Sequence, residues 1–112
     1  ADAYADCHVC FSHGQESGPW GTKINAMAGL ARERGASVES VDYRGMADPA
    51  ARVAKLVAYG RTVESPLLLV GSSMGGHVAA AASAELEVAG PWPAHLITVR
   101  HLLTHTSGFP DQ

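Results

Sequence analysis

Residues 66–83 read PLLLVGSSMGGHVAAAAS. The apolar run lies in a predicted strand over 65–72, continuous in the way that suits the covered centre of a parallel sheet. The small-residue run after Ser73 predicts a helix to about Val88, closed by Gly90-Pro91. Between the two, Gly71-Ser72-Ser73-Met74-Gly75 fits the pattern G-x-S-x-G. The flanking glycines let the backbone turn sharply from strand to helix without Cβ clashes. Such a turn lifts the serine hydroxyl above the sheet, beside the positive end of the following helix. Ser73 is therefore the candidate nucleophile. The alternative is a tight turn whose glycines serve only helix–strand packing.

Two more strand-then-helix units precede this one. HVCFSHG (8–14) predicts a buried strand. PWGTKINAMAGLARERG (19–35) predicts a helix with Trp20, Ile24, Met27 and Ala31 at helical spacing and Gly35 as its stop. ASVESVDY (36–43) predicts the second strand. DPAARVAKLVAYG (48–60) predicts a helix with Asp48 as N-cap, Pro49 at its first position and Gly60 just past its end. Strands alternating with helices imply β-α-β crossovers and an α/β fold, a three-layer sandwich around a small, mostly parallel sheet. Ligands bind such folds at the carboxyl ends of the strands. The polar, glycine-rich loops SHGQESG, YRGMAD and GSSMGG all fall on that rim.

The bulk composition narrows the function classes. The chain has 112 residues, 46% of them hydrophobic and 17% charged, which fits one domain. A net charge of −3 with no two Lys or Arg adjacent argues against a nucleic-acid or anionic-membrane partner. Its apolar stretches are far shorter than the ~20 residues of a membrane span. ADAYADCHVC at the N-terminus lacks the pattern of a secretory signal. The expectation is a soluble cytoplasmic protein with no cofactor. Cys7 and Cys10 bracket His8 as C-x-x-C, but no second Cys/His pair completes a zinc set. Positions three apart on a strand also point to opposite faces. Two reduced thiols and no metal are expected; a redox or metal module is the alternative.

A nucleophilic serine needs backbone N–H donors aimed at the developing oxyanion. The residue after the nucleophile, Met74, supplies one. The His-Gly turn of FSHGQESG supplies another from the next residue, Gln15. His13 then shapes the loop and is not the base; otherwise it is a surface histidine.

Residues 8–88, through FSHGQESGPWGTKI, VDYRGMADP and LLLVGSSMGGHVAAAAS, resemble the N-terminal half of small bacterial α/β-hydrolase fold proteins of the esterase type. The resemblance implies hydrolysis of carboxylic esters through an acyl-enzyme on Ser73, with the amides of Gln15 and Met74 as oxyanion hole. It implies a truncated α/β-hydrolase-like fold: a single domain over 1–112, with residues 8–88 as core and 89–112 as an atypical tail. In that family a further strand, an acid-bearing loop and a glycine-flanked histidine follow, and the tail lacks them. Its ITVRHLLTHTSGFPD instead resembles a segment of the serine β-lactamase and penicillin-binding-protein-like esterases. Their S-x-x-K motif is absent, so no catalytic role carries over from them. The chain reads as a hydrolase half joined to a foreign tail.

In α/β-hydrolases the order along the chain is serine, acid, histidine, so the resemblance implies an acid and a base that follow Ser73. The acids there are Glu85, Glu87 and Asp111; the histidines are His77, His95, His101 and His105. Glu85 and Glu87 would lie roughly 18 to 21 Å along the helix from Ser73, too far to orient a base. His77 would pack one turn into the helix, beside the elbow. If HLITV (95–99) joins the sheet in parallel, its end delivers His101 and then His105 to the rim. His105 oriented by Asp111 is the first choice, His101 the second, and Asp42 the fallback acid. VRHLLTHT is expected to form a short helix.

The expected activity is a serine carboxylesterase on short-chain acyl esters, a small-molecule substrate, because little chain remains to build a lid or deep acyl pocket. The other reading is a catalytically weak or inactive remnant that acts as a binding module. Open sheet edges and uncovered apolar faces predict a homo-oligomer.

Overall fold

The order of elements follows the alternation of the sequence. A computed structural model describes residues 6–89 and 94–98. Its elements are β1 (His8–Ser12), α1 (Thr22–Glu33), β2 (Ser37–Val41), α2 (Pro49–Gly60), β3 (Leu67–Gly71), α3 (Met74–Ala89) and β4 (Ala94–Thr98). The strands pair in parallel in the order β2-β1-β3-β4. Ser12 is in register with both Val41 and Gly71, and Gly71 with Thr98, so the carboxyl ends of all four strands form one rim. Ala94–Thr98 is thus the fourth parallel strand expected from HLITV, and it begins one residue earlier than expected.

The period-2 alternation of the strands divides the core between two faces. Val9 and Phe11 of β1 and Val70 of β3 pack with Ala28 of α1 and with Ile24, Met27 and Ala31. Cys10 of β1 and Leu67 and Leu69 of β3 turn the other way. They pack with Leu56 and Val57 of α2 and Val78, Ala79, Ala82 and Leu86 of α3. One helix thus covers one face and two cover the other. No helix among the described residues is long and apolar enough to cross a membrane.

Local chemistry sets the helix ends. The Asp48 carboxylate accepts the N–H of Ala50 at 3.1 Å and Pro49 opens α2, as the sequence predicts. Gly35 ends α1 with φ 88°, while its N–H and that of Ala36 reach back to the carbonyls of Arg32 and Ala31. Two expectations need correction. Trp20 precedes α1 and is 39% exposed, with the Arg32 guanidinium 5.7 Å from its ring; Ala28 is the fully buried residue of α1. Gly60 is the last residue of α2, not a residue past its end. A Cβ there would stand 2.6 Å from Leu86 Cδ1, so the glycine is there for helix packing.

The first two strands also end earlier than the apolar pattern suggests, because side chains take over their backbone groups. The Tyr43 N–H goes to the His13 ring and the Gly14 N–H to Ser17 Oγ, which frees both segments from the ladder.

Candidate active site

The turn between β3 and α3 is built by contact between backbones. A Cβ on Gly71 would lie 2.5 Å from the carbonyl oxygen of Gly75, and a Cβ on Gly75 would collide with the carbonyl of Ser12. No side chain fits at either position, which accounts for both glycines of G-x-S-x-G. Between them Ser73 has φ 56° and is the one non-glycine residue with positive φ among those described. For an L-residue this conformation costs roughly 1–2 kcal/mol, and it leaves the Ser73 side chain exposed on the rim. The Ser73 carbonyl accepts the N–H groups of Gly76 and His77 at 3.0 and 3.2 Å, which starts α3 at once. Met74 is the first residue of that helix, so its N–H has no intrahelical acceptor.

The loop after β1 faces this turn across a groove of about 620 Å³ that touches Gly14, Gln15, Ser72 and Ser73. The loop is tied down from beneath. His13 is buried; its Nδ1–H donates to the Gly14 carbonyl at 2.8 Å and its Nε2 accepts the Tyr43 N–H at 2.8 Å. Burial, its largest influence, holds the His13 pKa below the ordinary value, so the ring is the neutral tautomer these two bonds require. His13 is thus a loop-shaping residue and not a surface one. Tyr43 packs 4.9 Å from it, ring to ring, and shares a hydrogen bond of 2.9 Å with Ser12 Oγ. Arg52 of α2 lies 5.2 Å from the Tyr43 ring, donates to the Met46 carbonyl at 2.8 Å, and reaches Gly14 O at 3.4 Å. Ser17 Oγ accepts the Gly14 N–H at 2.9 Å.

This support was not singled out in the sequence. One signal for it was present: Arg52 stands four residues before Leu56 on the buried face of α2, where an arginine has to find polar partners inside.

The other candidates are distributed as follows. Gln15 is exposed beside the groove, and Met74 packs its side chain against the core beneath the turn. Asp42 is engaged elsewhere. It accepts from Arg44 Nε and Nη2 at 2.9 and 2.8 Å, and this guanidinium holds its carboxyl well below the usual range. Its nearer carboxylate oxygen is 3.9 Å from His13 Nε2, beyond hydrogen-bond reach. His77 is exposed on the first turn of α3; Glu85 and Glu87 are exposed toward the far end of that helix. His101, His105 and Asp111 lie outside the described residues, as do VRHLLTHT, over which the sequence predicts a short helix, and most of the tail segment.

The thiols sit apart from the rim. Cys7 precedes β1 half-buried, while Cys10 is fully buried and its pKa is pushed up to about 12, chiefly by desolvation. Among the described residues no three His, Cys, Asp or Glu side chains gather as metal ligands.

One solved structure combines this sheet, this helix arrangement and a related sequence. It is that of a protein from Xanthomonas campestris pv. campestris provisionally described as a hydrolase of the alpha/beta superfamily. It matches 81% of the chain with a TM-score of 0.69 and 29% identity. The fold is α/β-hydrolase-like. The chain spans 56% of that protein's length. No family model matches the chain, and no curated protein does. In an α/β-hydrolase-like sheet the turn after β3 and the loop after β1 meet at the carboxyl rim, where Ser73 and Gln15 border one groove.

Proposed function

We propose that the protein is a serine hydrolase of the carboxylesterase type, acting on short-chain acyl esters through an acyl-enzyme on Ser73. The observation that carries this reading is the left-handed Ser73, locked between Gly71 and Gly75 and open to a groove. The similarity to a protein described as an α/β-superfamily hydrolase agrees with it.

In this mechanism Ser73 Oγ bonds to the acyl carbon while a base takes its proton. The carbonyl oxygen becomes an oxyanion held by the N–H groups of Met74 and Gln15. The C–O bond to the alcohol breaks as the alcohol takes that proton. Water then adds to the acyl-enzyme by the same route, releasing the acid and restoring Ser73. We assign the base to His105 with Asp111 as its orienter; His101 is the alternative base and Asp42 the fallback acid. Oxyanion donors alone retain part of the rate when a triad is incomplete.

Labelling with a fluorophosphonate, followed by mapping of the modified peptide, tests the reading. The expected result is a single adduct on Ser73, with hydrolysis of p-nitrophenyl butyrate lost in Ser73→Ala. No adduct, or unchanged turnover in Ser73→Ala, would overturn it and leave a binding module on a hydrolase-like fold.

We further infer a cytoplasmic homo-oligomer. Among the described residues no strand covers the outer edges of β2 and β4, and Leu30 is 62% exposed. Light scattering at micromolar protein checks it; a monodisperse monomer sinks it.

A further inference from the structure

The groove beside Ser73 has two unlike walls. Loop residues from Gly14 to Gly18, with Ser72 and Ser73, form one; the start of α1 forms the other, where Thr22 and Lys23 stand at the mouth and Ile24 and Met27, with Phe11 and Val70 behind them, give its apolar part. Ile24 and Met27 stand three apart and so share one face of α1. Both are half-buried against the Phe11 and Val70 cluster, and their remaining surface borders the groove. Apolar surface left wet beside a reactive hydroxyl is surface that a bound apolar group removes from water. A cavity of about 620 Å³ is within the size range that holds small-molecule ligands.

We infer that the acyl chain of the substrate lies in this groove, between α1 and the ends of β1 and β3, and that Ile24 and Met27 set the length it accepts. The inference rests on the reading of Ser73 as nucleophile and extends the substrates from the shortest acyl groups to straight chains of medium length. The acyl half is the right occupant because it stays bonded to Ser73 after the alcohol has left. Its site must therefore be continuous with the Ser73 hydroxyl, as this wall is. An apolar chain held there contributes to both acylation and deacylation.

A p-nitrophenyl ester series from acetate through butyrate and hexanoate to octanoate keeps the alcohol constant and varies only this group. Full burial of a methylene, about 0.8 kcal/mol, corresponds to a fourfold rise in kcat/KM. The expected profile climbs about two- to fourfold per methylene and then levels where the groove ends. Met27→Trp and Ile24→Trp, which fill the groove, should lower the hexanoate-to-acetate ratio of kcat/KM at least about tenfold. Met27→Ala, which enlarges it, should move the plateau to longer chains. A flat profile in the unaltered protein overturns the inference. So does a ratio within about twofold of its original value in a Trp variant that still takes the fluorophosphonate on Ser73. In both cases the Ser73 adduct leaves the nucleophile assignment standing. Absence of that adduct overturns both readings together.

Discussion

His13 Nε2 accepts the backbone N–H of Tyr43 at 2.8 Å, and this bond fastens the end of β1 to the chain beyond β2. The donor is a main-chain N–H, so the ring nitrogen must offer its lone pair, and the proton sits on Nδ1, which gives it to Gly14 O. A second proton on the ring would set donor against donor in a buried place.

Stability should therefore fall with pH across the ordinary histidine range. Burial lowers the His13 pKa in the folded protein, so the unfolded chain takes up the proton first. The stabilisation is whole above the unfolded value of about 6.5 and is lost as pH drops toward the lowered folded one. His8 acts in the same sense: burial lowers its pKa, and its two ring nitrogens bond Ser37 Oγ and Tyr59 Oη, each at 2.6 Å. Tm measured between about pH 7.5 and 5.5 should decline, and His13→Gln should flatten part of the slope. An identical slope in the variant would contradict this account.

Two glycines separate backbone crowding from side-chain crowding. In Gly75→Ala the new methyl meets the Ser12 carbonyl, which cannot turn away without moving β1, so the loss should be about 3 kcal/mol or more. In Gly60→Ala it meets Leu86 Cδ1 and, at 3.3 Å, Leu67 Cδ2; these side chains can shift at roughly 1 kcal/mol. Urea denaturation of the two variants should show the first far less stable than the second. Equal midpoints would mean that the β3–α3 turn can relax away from β1.

What the sequence made legible were features repeated at short range. The apolar β3, the capped α2 and the glycine pattern around Ser73 each follow from neighbours along the chain, and the parallel order of strands follows from their alternation with helices. The cluster of Ser12, His13, Tyr43 and Arg52 did not, because it joins residues from β1, the loops and α2 that meet only in the folded sheet. Gly60 and Trp20 were misplaced for a related reason. Their periodicity suited a helix end and a helix face, but contact with Leu86 and the start of α1 at Thr22 decided otherwise.

The N-cap of α2 offers a simpler test. The Asp48 carboxylate satisfies the Ala50 N–H on an exposed turn, and Asp48→Ala should cost about 1 kcal/mol. Thermal unfolding measures it, and Asp48→Ser should restore most of the loss. If the alanine variant melts at the original temperature, water serves that N–H equally well.

Ser73 itself should betray its role through stability. Its φ of 56° strains a residue bearing a Cβ by roughly 1–2 kcal/mol, whereas glycine adopts that region freely. Glycine also loses more chain entropy on folding, which offsets roughly 0.5–1 kcal/mol of the relief. Ser73→Gly should thus gain up to about 1.5 kcal/mol over the original protein, while Ser73→Ala keeps the strain and gains nothing. Both variants should lose esterase turnover. A residue held in a costly conformation that glycine would relieve, and whose relief removes activity, is kept there for its hydroxyl. Parallel denaturation of the three proteins checks the order, and a Ser73→Gly variant less stable than the original would mean that the Ser73 side chain stabilises the turn.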